Sequence, residues 1–151
     1  MRRLLTLCVV HENDRILLGL KKRGFGEGRW NGFGGKVGQG EVIENAARRE
    51  LQEECGIEPI DMKKRGVLNF EFENNPDILE VHVFSATKFS GSPSESEEMK
   101  PQWFGLSEIP YHSMWPDDKH WLPILLSGKD FHGDFFFKDT NNLLRHELRT
   151  I

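Results

Sequence analysis

The helix pattern in residues 42–56, VIENAARRELQEECG, constrains the fold most, because carboxylates fall on its apolar side. At 100° per residue, Glu50 and Glu54 lie within about 20° of the edge of an apolar stripe. That stripe consists of Ile43, Ala47 and Leu51. We predict a helix over Val42–Cys55 that packs on a core, turns these two carboxylates inward and ends at Gly56, which can adopt a left-handed cap conformation.

These inward carboxylates need a compensating cation. Burying several like charges costs several kcal/mol per ion unless something cationic lies beside them. The alternative, a rim of solvated glutamates, would leave Glu50 and Glu54 on the wrong face of the helix. Glu53 follows on the same side, and a ligand set made only of oxygens suits Mg²⁺ or Mn²⁺ rather than zinc. We therefore expect a divalent metal site on this helix.

Apolar and alternating runs predict strands around this helix. The predicted strands are Leu4–Val10, Arg15–Lys21, Gly66–Phe72, Glu80–Phe89, one near Gln102, Asp134–Phe137 and one around Leu144. Residues 24–40 form a glycine-rich loop, residues 90–98 form a polar loop, and a second helix begins near residues 115–121. We predict a single α/β domain over residues 1–151, an α/β/α sandwich with a central mixed sheet.

The start MRRLLTLCVV resembles a signal peptide in its charge and hydrophobicity, but its apolar run is short and no cleavage site follows, which favours a buried first strand. No apolar run approaches the ~20 residues of a membrane span. The net charge of -4 argues against a polymeric nucleic acid partner. Cys8 and Cys55 are too few for a disulfide framework, so we expect a reducing compartment.

Aromatic and acidic residues outside the helix leave two interpretations open. Trp115, Trp121 and Phe70 could stack on a base, although such aromatic residues commonly belong to a core. Asp117 and Asp118 could form the N-cap of the second helix, but a cap does not need a pair. Adjacent buried carboxyl groups raise each other's pKa, so we predict that the pair keeps at least one proton near neutral pH when substrate is bound.

Residues 34–57, GGKVGQGEVIENAARRELQEECGI, carry a spaced motif over the predicted helix and the loop before it. The motif is G, five residues, E, seven residues, R-E, an aliphatic residue, one residue, E-E, one residue, G and an aliphatic residue, and all nine defined positions match. This resembles the signature of the Nudix hydrolases. The resemblance implies a Nudix-type sandwich, Mg²⁺ as cofactor and a substrate built from a nucleoside diphosphate linked to another group.

The same resemblance implies metal and catalytic residues. The implied metal ligands are Glu50, Glu53, Glu54, Glu98 and the backbone carbonyl of Gly34. One of Glu53, Glu54 and Glu98 would accept the proton of the attacking water. Arg49 lies four residues before Glu53, a spacing that lets a helix-surface ion pair orient that carboxylate.

Segments beyond the signature, such as RWNGFGG and MWPDDKHW, resemble the Nudix members that hydrolyse oxidised purine nucleoside triphosphates. This implies release of a nucleoside monophosphate and pyrophosphate from 8-oxo-dGTP and 2-hydroxy-dATP, which removes them from the nucleotide pool. The implied substrate-binding residues are Thr6, Lys21, Phe25, Asn31, Phe33, Gly34, Gly35, Lys36, Phe70, Leu79, Met99, Trp115, Pro116, Asp117 and Asp118.

Two other functions share part of this pattern. A Nudix hydrolase of another nucleoside diphosphate derivative would share the signature but not these additional segments. A noncatalytic nucleotide sensor would be expected to have a damaged signature, whereas this one is intact. We expect a monomer whose only partner is a small nucleotide, without nucleic acid or membrane partners. We expect it in the cytoplasm, with the nuclear and mitochondrial nucleotide pools as alternative compartments.

Overall fold

The first two strands are apolar on both faces, which places them inside a sheet that is covered on both sides. The computed structural model describes residues 1–151. Strand β1 (Arg2–His11) and strand β2 (Arg15–Lys21) pair as an antiparallel hairpin next to their turn. One face contributes Cys8, Val10 and Leu17 to a first buried cluster, and the other contributes Val9, Ile16 and Leu18 to a second. The predicted buried first strand is therefore confirmed.

The other strands complete a mixed sheet. They are β3 (Trp30–Asn31), β5 (Lys63–Phe72), β6 (Ile78–Ala86), β8 (Met99–Gly105), β9 (Phe131–Asp139) and β10 (Asn142–Thr150), while β4 (Glu58–Pro59) and β7 (Phe89–Ser90) form a separate ribbon. The sheet order is β10-β9-β5-β6-β1-β2-β3, and β8 also pairs with β2. Because β1–β6 and β5–β9 are parallel and the other pairs antiparallel, the predicted mixed sheet is confirmed.

Two helices cover the two faces of the sheet. Helix α1 (Ile43–Cys55) packs Ala47 and Leu51 into the first cluster, whereas α2 (Asp118–Leu126) packs Trp121 and Leu122 into the second. Gly56 ends α1 with φ of 75°, and its N–H donates to the Gln52 carbonyl, as predicted. Neither helix has the length and hydrophobicity that crossing a bilayer requires. The predicted α/β sandwich is confirmed.

Strands β1, β5 and β9 extend one to three residues beyond their predicted ends, and two other predicted segments are divided differently in the structure. The single strand predicted over Glu80–Phe89 is wrong, because β6 ends at Ala86. Asp61 accepts hydrogen bonds from the N–H groups of Thr87 and Lys88, at 2.8 and 2.9 Å, and these bonds turn the chain into the β4–β7 ribbon. The loop predicted over residues 24–40 also contains β3, whose pairing with β2 depends on tertiary contacts.

The sheet splits between β1 and β2, and this split positions the functional site. Beyond their turn the two strands no longer pair with each other. The segment 30–36 fills the gap: β3 pairs with β2, while Phe33 and Lys36 form isolated bridges to Cys8 and Leu5 of β1. The glycine-rich loop is thereby fixed along the middle of the sheet.

A buried arginine joins the end of α2 to strands β5 and β6. Arg65 is 5% exposed and lies at the bulge of β5. Its guanidinium donates to Asp130 Oδ1 at 2.8 Å, to Ser85 Oγ at 3.2 Å, and to the carbonyls of Leu125 and Lys129 at 3.1 and 2.8 Å. Arg65 therefore connects the last turn of α2 and the residues after it to the sheet.

We expect the substitution Arg65→Met to lower the free energy of unfolding by about 3 kcal/mol, because it removes four hydrogen bonds that a buried guanidinium donates. Urea denaturation followed by circular dichroism measures this change. Lys64→Met is the matched control, since Lys64 is the exposed neighbour on the same strand. Equal stability of the two variants would show that the Arg65 network contributes nothing net.

Candidate active site

A cavity of about 520 Å³ lies beside the split between β1 and β2. One part of its wall is charged and comes from α1, from Lys21 at the end of β2 and from Glu98 before β8. Another part is aromatic and comes from the loop after β2, from β5 and β9, and from the segment before α2. The arrangement can therefore take a ligand with a charged portion and a flat apolar portion.

Gly34 and Gly35 bring the loop backbone against β1 and α1. A Cβ atom on Gly34 would lie 1.8 Å from the Thr6 carbonyl oxygen, and one on Gly35 would lie 2.7 Å from Glu50 Oε1. The Gly34 N–H donates to Glu54 Oε1 at 2.8 Å, and the Thr6 N–H donates to the Gly35 carbonyl at 2.8 Å. Only glycine permits this close approach. The Gly34 carbonyl accepts no hydrogen bond.

The predicted inward carboxylates do face inward. Glu54 is 5% exposed, and burial raises its pKa from 4.5 to about 7, although the Gly34 N–H acts in the opposite direction. Burial also raises the pKa of Glu50, against the effect of the Arg49 guanidinium. The Glu53 side chain is 57% exposed at the cavity mouth. A solvated rim of glutamates is therefore excluded for Glu50 and Glu54.

Arg49 holds several carboxylates of the signature but does not line the cavity. The predicted ion pair with Glu53 is present at 3.3 Å. The shorter bonds go to Glu41, at 2.8 and 3.0 Å, and to Glu50 at 3.0 Å. A further bond reaches the Lys36 carbonyl at 3.1 Å. The Arg49 guanidinium, together with the Gly38 N–H, lowers the pKa of Glu41 to about 2. Arg49 thus orients more groups than its sequence spacing indicated.

The basic run that follows β2 is neutralised by the acidic loop. Lys21 Nζ lies 3.4 Å from Glu98 Oε2, and Arg23 Nε donates to Glu98 Oε1 at 2.9 Å. Hydrogen bonding from Arg23 lowers the pKa of Glu98. Lys22 Nζ donates to Glu95 at 2.6 Å. Only Lys21 of this run lines the cavity, so it is the one cation of the run that can meet a ligand there.

The donor set of the charged wall fits a divalent cation. Glu54 is a buried carboxylate that forms no ion pair, and the Gly34 carbonyl beside it is free. Glu50, Glu53 and Glu98 line the same cavity, so every donor is a hard oxygen of the kind that Mg²⁺ prefers. In this structure no group of three or more His, Cys, Asp or Glu side chains is arranged to hold a metal ion. Arg49 and Arg23 instead occupy oxygen atoms of Glu50, Glu53 and Glu98.

The aromatic wall is built around Trp115. Its ring centroid lies 5.0 Å from that of Phe25, which is 64% exposed, and 6.3 Å from that of Phe137. Phe70 and Phe72 extend the same wall from β5. Asn31 enters from the loop, where its Oδ1 accepts a hydrogen bond from the Gly32 N–H at 2.9 Å. Its amide NH₂ remains free to donate to a ligand.

Asp117 and Asp118 form a buried acid pair in this cavity. Each residue is 3% exposed. Asp117 stands at the N-cap position of α2, but no side chain forms a capping hydrogen bond to this helix. Trp121 Nε1 donates to Asp117 Oδ2 at 2.8 Å, whereas Asp118 Oδ2 is buried without a partner. Burial raises the pKa of both groups, and the negative charge of Asp117 raises that of Asp118 further. The helix-cap interpretation is therefore wrong.

The structure brings most of the predicted substrate-binding side chains into this one cavity. The exceptions are Phe33, which is fully buried in the core beneath Gly19, and Pro116, which does not line the cavity. Phe33 was predicted from the loop motif, but its bridge to Cys8 turns its ring into the first cluster. The five predicted metal ligands also line the cavity.

Several lining residues were not assigned from the sequence. They are Leu5, Leu7, Gly26, Arg29, Gly32, Phe72, Val81 and Phe137. Phe72 lies two residues after Phe70 on one strand face, so strand alternation could have found it. Arg29 had no local signal, because its role depends on residues far along the chain.

Comparisons with known proteins agree with this geometry. The chain is 52% identical to an oxidized purine nucleoside triphosphate hydrolase of Mus musculus, over 99% of this chain and 96% of the relative. It is 49% identical to the protein of that name in Danio rerio, over 97% and 94% of the two chains. Among solved structures, a MutT protein from Bacillus halodurans superposes with a TM-score of 0.87 at 28% identity, covering 97% of each chain.

A second solved structure, a MutT Nudix hydrolase from Burkholderia pseudomallei, gives a TM-score of 0.72 at 28% identity over 84% of this chain and 97% of the other. The family model of the Nudix domain matches residues 1–125, which include β1, β2, the signature and α2 up to Leu125. From its signature, its sheet and these similarities, the chain belongs to the Nudix hydrolase family.

Proposed function

We propose that this chain hydrolyses oxidised purine nucleoside triphosphates, 8-oxo-dGTP and 2-hydroxy-dATP, to the nucleoside monophosphate and pyrophosphate. The observation that carries this proposal is the buried pair Asp117 and Asp118 beside Trp115, in the same cavity as the carboxylates of α1. A stacking surface next to adaptable carboxyl groups suits a purine base, and a carboxylate wall suits the metal complex of a triphosphate. The names of the mouse and zebrafish relatives support the same activity.

The charged wall would hold the metal and the triphosphate. We assign Glu50, Glu53, Glu54, Glu98 and the Gly34 carbonyl as ligands of a divalent cation, with Mg²⁺ or Mn²⁺ as the ion. When bound, such an ion neutralises phosphate oxygens and makes a water molecule acidic enough to attack phosphorus. Lys21 would contact a phosphate oxygen, and one of Glu53, Glu54 and Glu98 would accept the proton of the water.

Arg49 supports this chemistry as a positioning residue. Its bonds to Glu41, Glu50 and Glu53 fix the signature carboxylates relative to one another without entering the cavity. Fixed carboxylates do not have to reorganise when the substrate arrives, and this lowers the barrier. Lys36 and Gly35 complete the loop side of the phosphate region, where the backbone lies closest to α1.

The aromatic wall would hold the base. Trp115, Phe25, Phe70, Leu79 and Met99 would supply apolar contact, and the Asn31 amide would donate to the purine edge. Thr6 Oγ1 is buried in this cavity without a hydrogen-bond partner, so a bound nucleotide would supply one.

We propose that residues 1–151 act as one Nudix domain, whereas the monomeric state and the compartment stay predictions.

A pyrophosphate-release assay tests the proposal directly. We expect 8-oxo-dGTP and 2-hydroxy-dATP to show kcat/KM values at least about tenfold above those of dGTP and dATP, because oxidation adds a ring N–H and a carbonyl to the purine with which the acid pair can form hydrogen bonds. Release should require Mg²⁺ and stop with a chelator. ADP-ribose serves as the control for another Nudix specificity. Preference for ADP-ribose, or binding of nucleotides without any turnover, would contradict the proposed function.

We expect Glu54→Gln to reduce turnover at least about 100-fold, since a bound cation supplies several kcal/mol of transition-state stabilisation. Amide and carboxylate have nearly the same shape, so the variant should fold. Exposed Glu44→Gln is the control and should retain parental turnover. Parental turnover in a folded Glu54→Gln protein would contradict the metal assignment.

Thermal denaturation gives this assignment a second measurement. Folding raises the pKa of Glu54 from 4.5 to about 7, so its contribution to stability is present below pH 4.5 and is lost as pH rises through about 7. A cation that binds the ionised carboxylate restores that stability. Added Mg²⁺ should therefore raise Tm more at pH 8 than at pH 5.5, and Glu54→Gln should weaken this difference.

The acid pair should decide which oxidised base is accepted. Because two buried adjacent carboxylates cannot both ionise cheaply, one can donate while the other accepts, and the proton can move between them. Asparagine fixes a donor at one position, so at least one of Asp117→Asn and Asp118→Asn should keep one oxidised purine and lose the other. Exposed Asp14→Asn is the control. Parental rates of both variants with both substrates would contradict proton exchange.

A further inference from the structure

Arg29 occupies a central position in the cavity wall that its sequence context did not indicate. Its backbone is fixed at the end of β2, because its carbonyl accepts from the Lys21 N–H at 3.0 Å and its N–H donates to the Gly26 carbonyl at 3.1 Å. Its guanidinium carbon lies 4.3 Å from the centroid of the Trp115 ring. Arg29 therefore supports the ring that forms the centre of the aromatic wall.

The same guanidinium fixes a third segment of the chain. Arg29 Nη2 donates to Asn141 Oδ1 at 2.6 Å. Asn141 lies in the turn between β9 and β10, where its N–H donates to Asp139 Oδ1 at 2.9 Å. The Arg29 side chain thus joins the loop before β3, the segment before α2 and the β9–β10 turn. This contact limits the movement of Trp115.

The remaining nitrogen of Arg29 is free for a ligand. Arg29 Nη1 is buried without a hydrogen-bond partner, and Arg29 lines the cavity. Thr6 Oγ1 and Asp118 Oδ2 are also buried without partners in the walls of this cavity. Unpaired buried polar atoms are costly in a native protein. Three of them around one cavity indicate groups that bind a polar ligand.

Arg29 also acts on the acid pair by its charge. Burial raises the pKa of Asp117, whereas the Trp121 N–H and the positive charge of Arg29 lower it. Burial and the charge of Asp117 raise the pKa of Asp118. Tyr111, in the short 3-10 helix before α2, also lies near the pair, and burial followed by the charge of Asp118 raises its pKa. Arg29 and Trp121 thus favour the negative charge on Asp117.

We propose that Arg29 is a positioning residue for base selectivity, which holds Trp115 against the cavity through stacking and the Asn141 tether. This inference rests on the proposed function, because it names what sets the choice between oxidised purines at the same site. The positioning is geometric and depends on the planar guanidinium, whereas the smaller effect of Arg29 on Asp117 depends only on its charge.

The experiment compares Arg29→Gln, Arg29→Lys and Asn141→Ala with the parent. Arg15→Gln is the matched control, because Arg15 lies 3.9 Å from the Trp103 ring centroid in a similar stacked contact outside the cavity. For each protein, kcat/KM is measured with 8-oxo-dGTP and 2-hydroxy-dATP between pH 6 and pH 9. The titration of the Asp117 and Asp118 carboxyl groups in the free protein is followed by ¹³C NMR.

Arg29→Gln should change the ratio of the two kcat/KM values by about tenfold or more and move the titration of Asp117 to higher pH, since it removes a nearby positive charge. Arg29→Lys should restore the titration but not KM, because lysine keeps the charge and loses the planar stack. Asn141→Ala, which removes only the tether, should raise KM and leave the titration unchanged. Arg15→Gln should match the parent throughout.

Three results would overturn the proposal: an unchanged substrate ratio and titration in folded Arg29→Gln, a parental KM in both Arg29→Lys and Asn141→Ala, or equal effects of Arg15→Gln. If Arg29→Gln fails to fold, Arg29→Lys and Asn141→Ala decide the geometric effect, and the titration in Arg29→Lys still has to match the parent. If the proposed function is wrong, the parent protein itself will hydrolyse neither 8-oxo-dGTP nor 2-hydroxy-dATP, and this result is distinct from the three above. The NMR titration tests the charge effect in that case too.

Discussion

The close approach of Gly34 to Thr6 and Glu54 is the contact on which the rest of the site depends. It occurs where β1 and β2 separate and the loop fills the gap between them. A side chain at Gly34 would overlap the Thr6 carbonyl, so any other residue would push the loop away from the sheet. The Gly34 N–H bond to Glu54 then fixes the loop to α1. One backbone position thereby sets the distance between the sheet, the loop and the carboxylates.

Both parts of the cavity wall contain buried carboxyl groups whose negative charges are not fully compensated by cations. In one part, burial raises the pKa of Glu54 and Glu50, while Arg49 takes up only some of their charge. In the other part, Asp117 and Asp118 are buried together. Such groups destabilise the folded chain unless a ligand or a proton neutralises them. The two apolar clusters and networks such as that of Arg65 offset this cost in the stability of the folded chain.

Sequence reasoning worked best where the signal was local. The period of α1 predicted its inward carboxylates and its end at Gly56, because helix geometry links residues three and four positions apart. It was less reliable where partners are distant in the chain. Phe33 belongs to the core rather than the cavity because of its bridge to Cys8, and β6 ends early because Asp61 binds the following turn. Neither contact leaves a pattern in the neighbouring residues.

The sequence alone determined the Nudix signature, the α/β class and which carboxylates turn inward, since each follows from spacing along the chain. Tertiary structure decided which side chains share the cavity and how their charges are balanced. Arg29 reaches Trp115 and Asn141 across 86 and 112 positions, and Arg49 binds Glu41 from the loop more closely than the predicted Glu53. Hydrogen-bond geometry and burial depend on where the backbone places these atoms in space, and the order of residues does not specify this directly.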